Sequence, residues 1–124
     1  MVNIAQGQPI WDLAAIQAAV VAGNFSLENR HSRRNFHSLG WKTTTLAAFL
    51  LALKSSHYRK SYMQQGAYDG HKLLDVDAYK MNFNEETCCE GSSDHVCIWV
   101  KLCLEALPSG DHVAVVTFHL DGLI

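Results

Sequence analysis

Four side chains near the end of the chain, Trp99, Lys101, Thr117 and His119, have the types and spacing to act on a nucleotide. Val96–Ala106 and His112–Leu120 are rich in strand formers and flank a Leu107-Pro108-Ser109-Gly110-Asp111 turn, which predicts a β-hairpin. Side chains alternate across a strand, so Ile98, Val100, Leu102 and Leu104 with Ala114, Val116 and Phe118 form its core face. The opposite face carries Trp99, Lys101, Cys103 and Glu105 with Val113, Val115, Thr117 and His119. A turn centred near Ser109 sets Trp99 opposite His119 and Lys101 opposite Thr117. A slip of one residue would expose the core face and is disfavoured.

Histidine exchanges a proton near neutral pH, lysine holds a phosphate and tryptophan stacks on a base. Together they suit RNA cleavage, in which a ribose 2′-hydroxyl attacks the neighbouring phosphate. That reaction needs a base, an acid for the leaving 5′-oxygen and cations for the crowded phosphate, and requires no metal or cofactor. A polar sheet face bearing one Trp and one His is also a common structural outcome, so the elements that position these residues matter.

The chain of 124 residues is long enough for one domain, spanning 1–124, with its own core. Hydrophobic residues at 48% and charged residues at 18% exclude a disordered chain. No apolar run reaches the ~18 residues of a spanning helix, so no membrane association is expected. The first ten residues lack a basic start and an apolar block, which predicts a cytoplasmic protein and makes the Asn24-Phe25-Ser26 acceptor pattern a chance match.

Asp12 as N-cap and Leu13, Ile16 and Val20 at helical spacing predict a first helix stopped by Gly23-Asn24. A second, thin surface helix is expected over 27–39. A third, capped by Thr43 or Thr44, turns Leu46, Phe49, Leu50 and Leu53 inward. Strands are expected over 57–63 and 72–83. In the latter, Leu74, Val76 and Ala78 alternate before a shift to Tyr79, Met81 and Phe83, which predicts a bulge. The fold class is therefore α+β, with N-terminal helices on a mainly antiparallel sheet that ends in a hairpin.

The net charge of −2 is uneven. Residues 28–60 hold seven lysines and arginines against Glu28, whereas residues 61–124 hold three lysines against ten acids. The basic stretch fits either a polyanion footprint or a solvated helix face, with Arg30, Arg33 and Arg34 gripping RNA or a protein, or facing water.

Several segments, in order, resemble the motility quorum-sensing regulator (MqsR) toxins, relatives of RelE-type messenger-RNA interferases. These are Trp11-Asp12-Leu13-Ala14-Ala15-Ile16-Gln17, Leu39-Gly40 with the apolar third helix, His57-Tyr58-Arg59-Lys60-Ser61-Tyr62, Asp75-Val76, Trp99-Val100-Lys101-Leu102 and Thr117-Phe118-His119. The resemblance covers Trp11 to Asp121. It implies a RelE/MqsR-like fold, a metal-independent endoribonuclease and a cognate antitoxin as partner. Lys60 matches the family's catalytic lysine and His119 its C-terminal Lys or His. Arg59 and Trp99 replace aromatic positions, and Leu74 stands in place of a glutamine. Asp77 stands where the family has a tyrosine, a role that Tyr79 recovers if the bulge is there. Catalysis is thus expected from Lys60, His119 and Tyr79, and RNA binding from Arg59, Lys80, Trp99 and Lys101.

Two other classes compete. Cys88-Cys89 with His95 and Cys97 concentrates soft ligands for zinc or a thiol nucleophile, though adjacent cysteines suit one tetrahedral centre poorly. A non-catalytic partner-binding protein on the same scaffold is favoured by the acidic C-terminal half and the absent glutamine.

Overall fold

The helices follow from the apolar spacing. In the computed structural model, which describes residues 2–4, 8–28, 30–65 and 73–120, the first helix, α1 (Leu13–Val21), buries Ile16, Ala19 and Val20. Asp12 holds the N-cap place but makes no side-chain cap bond, and Gly23 takes the left-handed turn beyond the last coil at φ 82°. The third helix, α3 (Thr43–Ala52), directs Leu46, Phe49 and Leu50 inward, followed by buried Leu53. Its N-cap is Lys42 rather than a threonine, because the helix already begins at Thr43. The Gln17 side-chain amide donates to the carbonyls of Leu50, Leu51 and Leu53, closing the C-terminal end of α3 from α1.

Among the described residues seven strands form one sheet: β1 (Val2–Ile4), β2 (Phe25–Leu27), β3 (Tyr58–Gln65), β4 (Leu73–Asn84), β5 (Cys89–Glu90), β6 (Val96–Leu107) and β7 (Gly110–Leu120). The order is β1-β3-β4-β6-β7-β2, with β5 beside β4. Only the β2–β7 pair is parallel among the described strands. The fold is therefore α+β with a mainly antiparallel sheet.

One sheet face meets α1 and α3. Tyr79, Met81, Phe83, Ile98, Val100, Leu102, Val113, Val115 and Phe118 join the helices there in the main core. Trp41 is its hub, with ring centroids 5.4–5.8 Å from those of Phe49, Phe83 and Phe118. The opposite face holds a second cluster of Tyr62, Val76, Ala78, Cys103, Ala114 and Val116. Trp11 packs against both clusters and donates its indole N–H to the Asp75 carbonyl at 2.7 Å. Pairing of β4 with β6 stops at Asp77–Leu102, whereas β4 pairs with β3 out to Leu73, so Asp75 lies beyond the last described β6 partner.

The structure corrects three expectations. The helix expected over 27–39 is shorter: Leu27 ends an edge strand in which residues 25–27 pair with 113–115, and α2 runs only from Arg30 to Ser38. Tertiary pairing there overrides the local pattern. The 72–83 strand has no phase shift against β6, since Asp77 to Phe83 pair without interruption with Leu102 to Val96. Its apparent shift arises because both faces of β4 are buried around residues 76–79. The irregularity lies in β3, where Tyr58 pairs Tyr79 but Lys60 pairs Ala78, leaving Arg59 as the extra residue. A second irregularity lies in β7, where Lys101 pairs Thr117 but Leu102 pairs Val115. The extra residue Val116 reverses the faces below it. Val113 and Val115 therefore join the main core, while Ala114 and Val116 turn to the other side.

Candidate functional site

Above the β7 bulge the anticipated pairing is present: Trp99 lies opposite His119 and Lys101 opposite Thr117. Pairing of β4 with β6 adds Lys80 beside Trp99 and Ala78 beside Lys101, and β3 adds Lys60 beside Ala78. Two rows therefore cross the sheet on the face opposite α1 and α3. One runs Lys80, Trp99, His119, and the next runs Lys60, Ala78, Lys101, Thr117. At ~4.8 Å between strands and ~3.4 Å per residue, the Lys60 and His119 backbones stand about 16 Å apart. Ala78, between them, contributes only a methyl group.

The Trp99 and His119 rings are 6.3 Å apart by centroid and inclined by 31°. His119 Nδ1 is 3.1 Å from its neighbour's carbonyl, Leu120 O. A carbonyl only accepts, so in this contact Nδ1 carries the proton and the neutral ring keeps its lone pair on Nε2. Lys60 is exposed, and Lys80, Trp99, Thr117 and His119 are half-buried. Lys101 is only 9% exposed, with its ammonium 4.6 Å above the Tyr62 ring. Burial pushes the lysine pKa below its usual value. Arg59, the extra residue of the β3 bulge, is exposed, and its guanidinium folds back onto the carbonyls of Ser56 and Tyr58.

Tyr79 does not belong to this group. With β4 in unbroken register, it points into the main core at 0% exposure, and its hydroxyl finds no hydrogen-bond partner among the described residues. Burial, and then the charge of Asp77, push its phenol pKa up. Tyr79 is a core residue and not the proton-transfer group expected on the sheet face. The backbone of Leu74 pairs with Gln64, and its side chain lies outside the described residues.

Asp77, which looked like a substitution at a functional tyrosine, is a structural clamp. Fully buried, its carboxylate accepts from the Ile10 and Trp11 amides at 2.9 and 2.8 Å and from Ser61 Oγ at 2.7 Å. Ser61, whose one proton goes to Asp77, accepts from the Tyr58 hydroxyl 2.5 Å away, which also lies 3.1 Å from the Gln8 carbonyl. An acid on a strand otherwise packed on both faces was the available sign of such a clamp. Its partners, two backbone amides more than sixty positions away, leave no mark in the pattern.

A concavity of about 870 Å³ lies on the other side of the molecule, between α1, α3 and the β5 turn, with Gln17, Leu51, Leu53, Lys54, Cys88 and Cys89 in its wall. None of the residues singled out for catalysis or RNA binding lines it. Beside it, His57 Nδ1 accepts from the Lys54 amide and Nε2 lies 2.9 Å from Glu90. That imidazole, and then Lys54, hold the Glu90 carboxyl below its ordinary range. All four thiols are free, and no group of three His, Cys, Asp or Glu side chains among the described residues is placed to hold a metal ion. No helix among the described residues is long and apolar enough to cross a membrane. No family model matches the chain, and no curated protein matches it with statistical significance.

Proposed function

We propose that the chain is an endoribonuclease of the RelE/MqsR type, the toxin of a toxin–antitoxin pair, and that it cuts single-stranded RNA to 2′,3′-cyclic phosphate and 5′-hydroxyl ends. The observation that carries this reading is the Lys80–Trp99–His119 row beside Lys60 and Lys101 on one sheet face. It offers a stacking ring, a proton acceptor and cations to one stretch of RNA.

In this reading a base stacks on Trp99, and His119 Nε2 takes the proton of the attacking 2′-hydroxyl. Lys80 and Lys101, in the rows that adjoin the Trp99–His119 pair, neutralise charge on the phosphate as it becomes pentacoordinate, and Lys60 and Arg59, farther along the same face, hold a neighbouring phosphate. The leaving 5′-oxygen is protonated from solvent. These side chains supply the chemistry without a metal ion. A cytoplasmic antitoxin protein is the natural partner, because an unchecked ribonuclease harms its own cell.

The test is cleavage of a long synthetic RNA by the purified protein in EDTA. Loss of His119 as a general base predicts a roughly 10²–10⁴-fold drop for His119→Ala, and Lys60→Ala should also be impaired. A second reading, a non-catalytic binding protein on the same scaffold, is favoured by the burial of Tyr79, which removes the expected phenol from the face. RNA left intact by the wild type at high concentration, without and then with ribosomes, selects that second reading.

A further inference from the structure

The helix α2 lies along the edge of β7 that β2 leaves unpaired. β2 pairs 113–115 of β7, and the Glu28 amide still donates to the Val115 carbonyl. At Phe118 the helix takes over. Ser32 Oγ, 1% exposed, accepts from the Phe118 amide at 2.9 Å, and Asn35 Nδ2 donates to the Phe118 carbonyl at 2.9 Å. Two helix side chains thus replace the next strand, and they fix the rotation of α2 about its axis.

The rotation decides where the basic residues point. Successive residues turn by about 100° around a helix. Ser32 and Asn35 define the direction of the β7 edge, and Phe36, about 70° to one side of it, packs on Phe118 with centroids 6.3 Å apart in the main core. An equal sense of rotation to the other side leads past Asn35 to His31, Ser38 and Arg34, which lie within about 40° of the normal to the opposite sheet face. All three are exposed. That face is the one bearing Thr117 and His119. With a rise of ~1.5 Å per residue, His31 and Arg34 stand level with residues 117–119 of β7. Arg30 lies about 80° away from that direction, and Arg33 is turned back to the Leu27 carbonyl at 3.2 Å.

We infer that His31 and Arg34 extend the RNA face beyond β7 and hold the phosphate of a nucleotide flanking the one at Trp99 and His119. The inference rests on the RNA reading of the sheet face. It gives the bound strand a path across the sheet, from Lys60 on β3, over Lys80 and Trp99, past His119 and onto α2. Arginine suits this place because its planar fork can meet two phosphate oxygens at once.

The experiment is fluorescence anisotropy with a labelled single-stranded oligonucleotide whose 2′-positions are O-methylated, so that no nucleophile is present. Arg34→Ala should weaken binding at low salt by about three- to tenfold. It should also reduce the slope of log K against log salt by about 0.7, the effect of one phosphate contact on a single strand. His31→Ala combined with Arg34→Ala should weaken it further, and Arg30→Ala should stay within about twofold of wild type. Arg34→Lys should recover most of the loss, since a point charge remains. Equal losses for Arg34→Ala and Arg30→Ala would overturn the assignment, because charge alone and not position would then matter. Weakening by Lys60→Ala with no effect of Arg34→Ala overturns the α2 contact and leaves the sheet reading standing. Absence of binding by the wild type brings both down.

Discussion

Two buried residues with contrasting chemistry can be tested directly. Tyr79 holds a hydroxyl in the main core without a partner among the described residues, so removing the oxygen removes a desolvation cost. Tyr79→Phe should raise stability by about 1 kcal/mol in chemical denaturation and leave RNA cleavage unchanged. Lost cleavage with an intact fold would return Tyr79 to the site. Lys101 differs because its charge lies on the proposed working face. Its pKa is lowered by burial, so between its folded and unfolded pKa values the unfolded chain binds more protons. Stability from this group should therefore rise with pH up to the ordinary lysine pKa. Lys101→Met should flatten that rise, be at least as stable near neutral pH and cleave RNA more slowly. An unchanged pH slope would show that the ammonium is not desolvated in solution. The Trp99–His119 pairing could be anticipated from sequence only because the Val116 bulge offsets a turn that closes at Leu107–Gly110 instead of symmetrically about Ser109. The side of Tyr79 could not, because its place depends on both faces of β4 being covered, which the chain's own pattern mimics as a bulge.

At the scale of elements, the site depends on the register that lines up β3, β4, β6 and β7. Asp77 ties the segment before α1 to β4 through two backbone amides, and Ser61 brings β3 into the same network. Asp77→Ala should cost about 3 kcal/mol, because it strands buried donors that a carboxylate had satisfied. A loss under 1 kcal/mol would mean that water takes its place. The β7 bulge has the opposite character. With Val116 deleted, Thr117 can still face Lys101 and His119 still face Trp99, since the hairpin register counts from Leu107–Gly110. The deletion should therefore fold, lose about 2 kcal/mol for the buried valine, and retain nuclear Overhauser contacts between the Trp99 and His119 rings. Loss of those contacts in a folded deletion would show that the bulge itself aims the imidazole. The helices α1 and α3 were legible from apolar spacing, whereas α2, with few apolar residues, begins later than expected. The edge strand at Phe25–Leu27 was not, because three residues with one long-range partner carry too little local signal.

Across the whole molecule, the basic stretch 28–60 does not fold into one patch. Arg34 and His31 stand beside β7, whereas Arg59 and Lys60 belong to β3, so the charges flank the two rows of the sheet face. Apart from Asp75 and Asp77 on β4, the described acids of the C-terminal half lie elsewhere. Glu85, Glu86, Glu90 and Asp94 lie in the connection from β4 to β6, and Glu105 and Asp111 lie toward the hairpin tip. Asp111 is eight residues along β7 from His119, about 27 Å at strand rise, and Glu105 is about 20 Å from Trp99. Both distances exceed the Debye length of about 10 Å at 0.1 M salt. A net charge of −2 should therefore leave RNA binding to the local cations, which is the last point to test. With Arg59, Lys60, Lys80, Lys101 and Arg34 as the phosphate contacts, the slope of log K against log salt should be about −3.5, a roughly three-thousandfold loss of affinity for a tenfold rise in salt. Changing Glu105 and Asp111 together to Gln and Asn should leave both slope and affinity unaltered at 0.1 M. Tighter binding by that double variant at 0.1 M would mean that the hairpin tip approaches the RNA, and the path of the strand would then run along β6 and β7 instead of across them.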